Sequence, residues 1–95
     1  MAAYIHAAIE ITDPAAYEEY RRQVPALIAA HGGRYLVRGG AVEVLEGPVP
    51  PLRHVILEFP DKAHLKAFYD SPEYQALKAL RRRASHGTLI AIDGV

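Results

Sequence analysis

The run His31-Gly32-Gly33-Arg34-Tyr35-Leu36-Val37-Arg38-Gly39-Gly40 constrains the fold of this chain more than any other stretch. Upstream of it, Asp13-Pro14 reads as an N-cap followed by the first helical residue. Tyr17, Tyr20, Val24, Leu27 and His31 then recur at steps of three and four, which is one helical face. Pro25 lies inside that pattern, removes one backbone hydrogen bond and predicts a kink near Arg21–Val24. Gly32-Gly33 stops the helix and releases the chain into a β-rich run carrying Tyr35 and Arg38. Polar side chains are thereby placed where a helix end meets a sheet, a common location for a small-molecule pocket.

The remaining elements follow from pattern and punctuation. Residues 3–11 alternate, with Ile5, Ala7, Ile9 and Ile11 on one side and Tyr4, His6, Ala8 and Glu10 on the other. Residues 34–38 and 42–46 are short β-rich runs separated by Gly39-Gly40; a hairpin with a two-residue turn is the favoured reading, and one bulged strand is the alternative. Gly47 to Leu52 holds three prolines and reads as a loop. His54–Phe59 is another strand. Pro60-Asp61 opens a second helix carrying Leu65, Phe68 and Tyr69, and Ser71-Pro72-Glu73 interrupts it and caps a third with Tyr74, Leu77, Leu80 and Ala84 inward. Arg81, Arg82 and Arg83 fall in its last turn, where cations suit the helix dipole. Thr88–Asp93 is a final strand.

This order predicts a single α+β domain over residues 1–95, a ferredoxin-like βαββαβ plait with an extra short hairpin or bulge and a split second helix. Its first and third strands, 3–11 and 54–59, are expected as parallel central neighbours. A chain of 95 residues buries only about 60–65% of its unfolded surface, and 51% of its residues are hydrophobic. The uncovered face of the sheet, with Tyr4, His6, Ala8, Glu10, His54, Ile56, Glu58, Thr88, Ile90 and Ile92, is too apolar for water and too polar for a dry core. It is expected to pack on a second copy in a two-fold homodimer.

Composition excludes several functions. Eleven basic and eleven acidic residues cancel, so no overall field favours nucleic acid or a membrane surface. The absence of cysteine rules out disulfides, cysteine nucleophiles and thiolate metal sites. The N-terminus shows neither a basic region nor a long apolar run, and a cytoplasmic location is expected.

Thr-Asp-Pro at 12–14, Tyr17, Tyr20, the run His31–Tyr35, Val37-Arg38-Gly39-Gly40, Glu58-Phe59-Pro60 and Tyr69-Asp70-Ser71-Pro72-Glu73-Tyr74 together resemble the bacterial domain-of-unknown-function family 1330. The resemblance covers nearly the whole chain. It implies the dimeric α/β-barrel superfamily, in which two ferredoxin-like subunits pack sheet to sheet with the helices outside. Relatives there include cofactor-free monooxygenases, muconolactone isomerases, haem-dependent enzymes and binding proteins, so fold alone selects no activity.

Two constellations carry chemistry. Tyr17, Tyr20, His31, Tyr35, Arg38 and Tyr69 are the candidate ligand-binding set: Arg38 can hold a carboxylate or enolate, His31 can carry a proton near neutral pH, and tyrosines can line an apolar cavity and hydrogen-bond a polar ligand. His31 and Arg38 are also the catalytic candidates. His6, Glu10, His54 and Glu58 form the second set. His6 and Glu10 lie about 13 Å apart along one strand, too far to share an ion, so this face reads as assembly and no metal or other cofactor is expected. The resulting expectation is a homodimer binding a small aromatic or carboxylate-bearing metabolite between helices and sheet. The alternatives are a cofactor-independent monooxygenase or isomerase and a structural dimer without ligand. The last requires Leu27, Leu36, Phe59 and Phe68 to fill the space under the first helix.

Overall fold

The computed structural model describes residues 1–95. The order is β1 (Ala3–Ile11), α1 (Pro14–Ala30), β2 (Arg34–Arg38), β3 (Arg53–Phe59), α2 (Lys62–Tyr69), α3 (Pro72–Ala84) and β4 (Ser85–Asp93). Each helix begins where a short polar side chain replaces a missing partner for the first backbone N–H groups. The Asp13 carboxylate accepts from the Ala16 N–H at 3.1 Å, the Asp61 carboxylate from the His64 N–H at 2.8 Å, and the Ser71 hydroxyl oxygen from the Tyr74 N–H at 3.2 Å. The α1 helix runs through Pro25 to Ala30 as one element. It closes at Gly32, whose φ of +77° suits glycine, while the Gly33 N–H donates back to the Ile28 carbonyl at 2.9 Å. Gly33 also lies so close to Phe59 that a Cβ there would sit 2.6 Å from the ring.

The sheet order is β2-β3-β1-β4, and every neighbouring pair is antiparallel. The expected parallel pairing of the first and third strands is therefore corrected. Each helical crossover skips a strand, so β1 and β2 share a direction and β3 between them opposes both. Residues 42–46 do not form a hairpin arm: the Gly39 N–H extends the ladder by donating to the His54 carbonyl at 2.8 Å, and the chain then runs irregularly to Leu52. Pro48, Pro50 and Pro51 lack the N–H groups that ladder pairing needs. The irregularity lies inside β2 instead. The register steps from Tyr35↔Leu57 to Val37↔Ile56, leaving Leu36 as an extra residue.

All three helices lie on one side of the sheet. Ile5, Ile9, Leu57 and Phe59 from the strands meet Val24, Ile28, Leu65, Phe68 and Tyr74 from the helices in one core. The Phe68 ring centroid lies 4.6 Å from Tyr74 and 5.4 Å from Phe59. Burying each such side chain contributes about 1.5–3 kcal/mol. The opposite face is uncovered, with Ile90 and Ile92 51% and 46% exposed. On it, Tyr4 of β1 donates to Glu58 of β3 at 3.1 Å, and Glu58 accepts from Arg34 of β2 at 2.8 Å. His6 and His54 stack with ring planes 3° apart and facing nitrogens 3.0 Å apart, one of which carries the hydrogen.

Candidate ligand cavity

A cavity of about 40 Å³ lies between α1, α3 and the inner face of the sheet. Helical periodicity supplies one wall: Tyr17, Tyr20, Arg21, Val24 and Ile28 follow one another down α1, and Tyr74 and Arg81, two turns apart, face them from α3. Strand alternation supplies the floor, with Ile5, Ala7 and Ile9 from β1 and Arg53, Val55 and Leu57 from β3. The extra residue in β2 decides the rest. In a regular strand, Tyr35 and Arg38 would point to opposite faces, because their spacing is odd. The bulge sets Tyr35 opposite Leu57 and Arg38 opposite Val55, so both reach the cavity.

The lining is apolar apart from tyrosines and arginines, and contains no carboxylate. The Tyr20 and Tyr74 hydroxyls hydrogen-bond at 2.8 Å. Burial, and then the neighbouring Tyr74, push the Tyr20 phenol far above the usual range, so it stays protonated. Burial also raises the Tyr35 phenol, with the Arg38 guanidinium opposing the shift. Arg38 stands over the Tyr35 ring at 4.6 Å and donates from Nη2 to the Arg21 carbonyl at 3.2 Å. Arg53 lies 5.7 Å from the Tyr17 ring centroid and packs against Gly39, where any Cβ would collide with its guanidinium. The Nε atoms of Arg53 and Arg81 are buried without a hydrogen-bond partner.

Of the residues expected from sequence, the structure brings Tyr17, Tyr20, Tyr35 and Arg38 together here. His31 lies elsewhere, as the C-cap of α1: its Nδ1 pairs with the Leu27 carbonyl at 3.0 Å and its ring meets the Phe68 ring at 6.1 Å. Tyr69 lines a separate cleft with Leu65 and Ile90, with Lys78 Nζ 4.6 Å above its ring. The space under α1 is not filled by the four side chains that would close it, since Leu36 is 46% exposed. Sequence reasoning missed Arg53, Arg81 and Tyr74 as cavity residues. The signal was present: Arg53 continues the inward alternation of Val55, Leu57 and Phe59, and Arg81 lies seven residues beyond Tyr74 on the inward stripe of α3.

No helix is long and apolar enough to cross a membrane. None of the curated proteins matches the chain. Among solved structures, RPA0582 of Rhodopseudomonas palustris, a protein of unknown function, is similar at 20% identity and TM-score 0.77, covering 99% of this chain and 82% of that one. SnoaB of Streptomyces nogalater, a cofactor-independent oxygenase, superposes at TM-score 0.69 and 12% identity, over 99% of this chain and 93% of its own. A Caulobacter crescentus CB15 protein, provisionally assigned as an antibiotic biosynthesis monooxygenase, gives 0.65 and 16% over 99% and 90%. These likenesses show a ferredoxin-like α+β fold shared with those proteins. Residues 2–95 match a single family along almost their whole length, and the chain belongs to that family, Domain of unknown function (DUF1330).

Proposed function

We propose that this protein is a homodimer that binds a small organic metabolite between its helices and its sheet. The observation that carries the reading is the cavity itself, an apolar enclosure in which Tyr17 and Tyr20 of α1 converge with Tyr35 and Arg38 of β2. Its volume of about 40 Å³ accommodates roughly three waters at ~10–15 Å³ each. A ligand therefore lodges a small head group inside. Support for the second copy comes from the uncovered sheet face, where Ile90 and Ile92 are half exposed beside side chains already paired with one another.

Turnover through a proton carrier and a stabilised enolate has less support. The lining holds no histidine, aspartate or glutamate, and Tyr20 keeps its proton. The likeness to an oxygenase extends to the fold.

The test is a thermal-shift and calorimetric screen of small aromatic and aliphatic metabolites against the wild-type chain and Ala7→Val. Ala7 lines the cavity from β1, so two added carbons fill it while suiting a strand. Ligands are expected to stabilise the wild type and to lose their effect on a folded Ala7→Val protein. Equal binding by both proteins would place the ligand elsewhere and sink the reading.

A further inference from the structure

Arg53 enters the cavity from β3, and Arg81 enters it from the C-terminal part of α3. In both, the Nε–H is shut off from solvent and has nothing to donate to. Buried guanidinium donors ordinarily find acceptors, because losing water without a replacement is costly. Both side chains line one small enclosure that contains no carboxylate to serve these donors. Arg53 is seated, not free to swing out, since its head is held between Gly39 and the Tyr17 ring. The α3 turn that carries Arg81 is tied down as well: the Ser85 hydroxyl donates to the Arg81 carbonyl at 2.7 Å.

We propose that the cavity takes a small organic monoanion, a carboxylate, whose oxygens accept from the Nε–H groups of Arg53 and Arg81. This rests on the ligand-binding reading of the same cavity. Arginine suits the role because its planar fork matches a planar oxyanion. The apolar walls and the small volume disfavour inorganic phosphate, whose larger hydration shell has no replacement there. The tyrosine rings lining the space accept the flat body of such an acid.

The experiment titrates the full-length wild-type protein with acetate, pyruvate and benzoate. Acetamide, benzamide and inorganic phosphate are run beside them at constant pH and ionic strength. Binding is followed by calorimetry and by the ¹⁵N resonances of the arginine Nε–H groups. Carboxylates are expected to bind and to move two of those resonances, with the amides and phosphate silent. Arg53→Gln and Arg81→Gln should each weaken the carboxylates by about tenfold to a hundredfold. Should either variant fail to fold, the wild-type resonances decide. Amides that bind as well as acids overturn the anion assignment and leave the metabolite-binding reading standing. Binding of phosphate alone overturns the organic monoanion. If neither acids nor amides bind, and the broader screen is also empty, both readings fall.

Discussion

A proline inside a helix leaves the carbonyl four residues earlier without its N–H partner. In α1 that carbonyl belongs to Arg21, and the Arg38 guanidinium reaches it at 3.2 Å from the neighbouring strand. Pro25, which touches nothing in the cavity, thus helps to hold a cavity side chain. Pro25→Ala restores the N–H and makes it compete with Arg38. The expected result is a higher melting temperature together with weaker ligand binding, a combination that ordinary destabilisation does not produce. Arg38→Ala should leave the melting temperature almost unchanged and abolish binding; loss of folding would make Arg38 structural. Gly33 illustrates the opposite case, pure packing. A Cβ there meets Phe59 at 2.6 Å and Ile28 at 2.8 Å, so Gly33→Ala should cost about 1–3 kcal/mol in urea unfolding.

Most elements were legible because each is announced by its own chemistry. Asp13-Pro14 and Ser71-Pro72 mark helix starts whose caps form as read, Pro60-Asp61 marks the start of α2, where Asp61 is the cap, and the alternation of β1 and β3 assigns their faces correctly. Residues 42–46 misled because β-propensity measures fit to a sheet surface, and here no sheet edge receives the segment. Arg53 and Arg81 escaped because arginine is normally read as solvated, and only three-dimensional enclosure shows their Nε atoms buried. The strands also carry a titratable cluster. Arg34, and then the Tyr4 hydroxyl, hold the Glu58 carboxyl below the usual carboxylate range, while the Tyr4 phenol is raised, first by its hydrogen bond to Glu58. A depressed acid adds stability that is present above its unfolded pKa of about 4.3 and is lost as pH falls through the folded value. The raised Tyr4 adds stability that is present below about pH 10 and is lost above it. Glu58→Gln should therefore lower the melting temperature at pH 7 and converge with the wild type in acid; an equal deficit at every pH would remove Glu58's ionisation from the account.

The whole chain is a slab of 35 × 33 × 16 Å, one layer of helices on one sheet. Such a slab has half of a sandwich's burial, and its bare face carries Ile90 and Ile92 next to the His6–His54 stack. Closure by a second copy predicts a particle of twice the 10.5 kDa chain mass in sedimentation equilibrium. Ile90→Glu buries no charge in the lone subunit, because Ile90 is already 51% exposed there. It should yield a folded monomer at micromolar concentration; an intact dimer would move the contact elsewhere. The sequence indicated this face through its mixture of isoleucines and histidines, whereas the interior arrangement behind it depended on register.

That register has a bearing on how relatives are compared. Leu36 is surplus to the ladder, so a homologous chain lacking it pairs without interruption and still presents the same tyrosine and arginine inward. Loss of one codon here is geometrically silent, whereas a shift of pairing by one position would turn the arginine outward. An alignment that counts columns without opening a gap at this spot will match the arginine to the wrong residue and report a difference where the two crevices are alike.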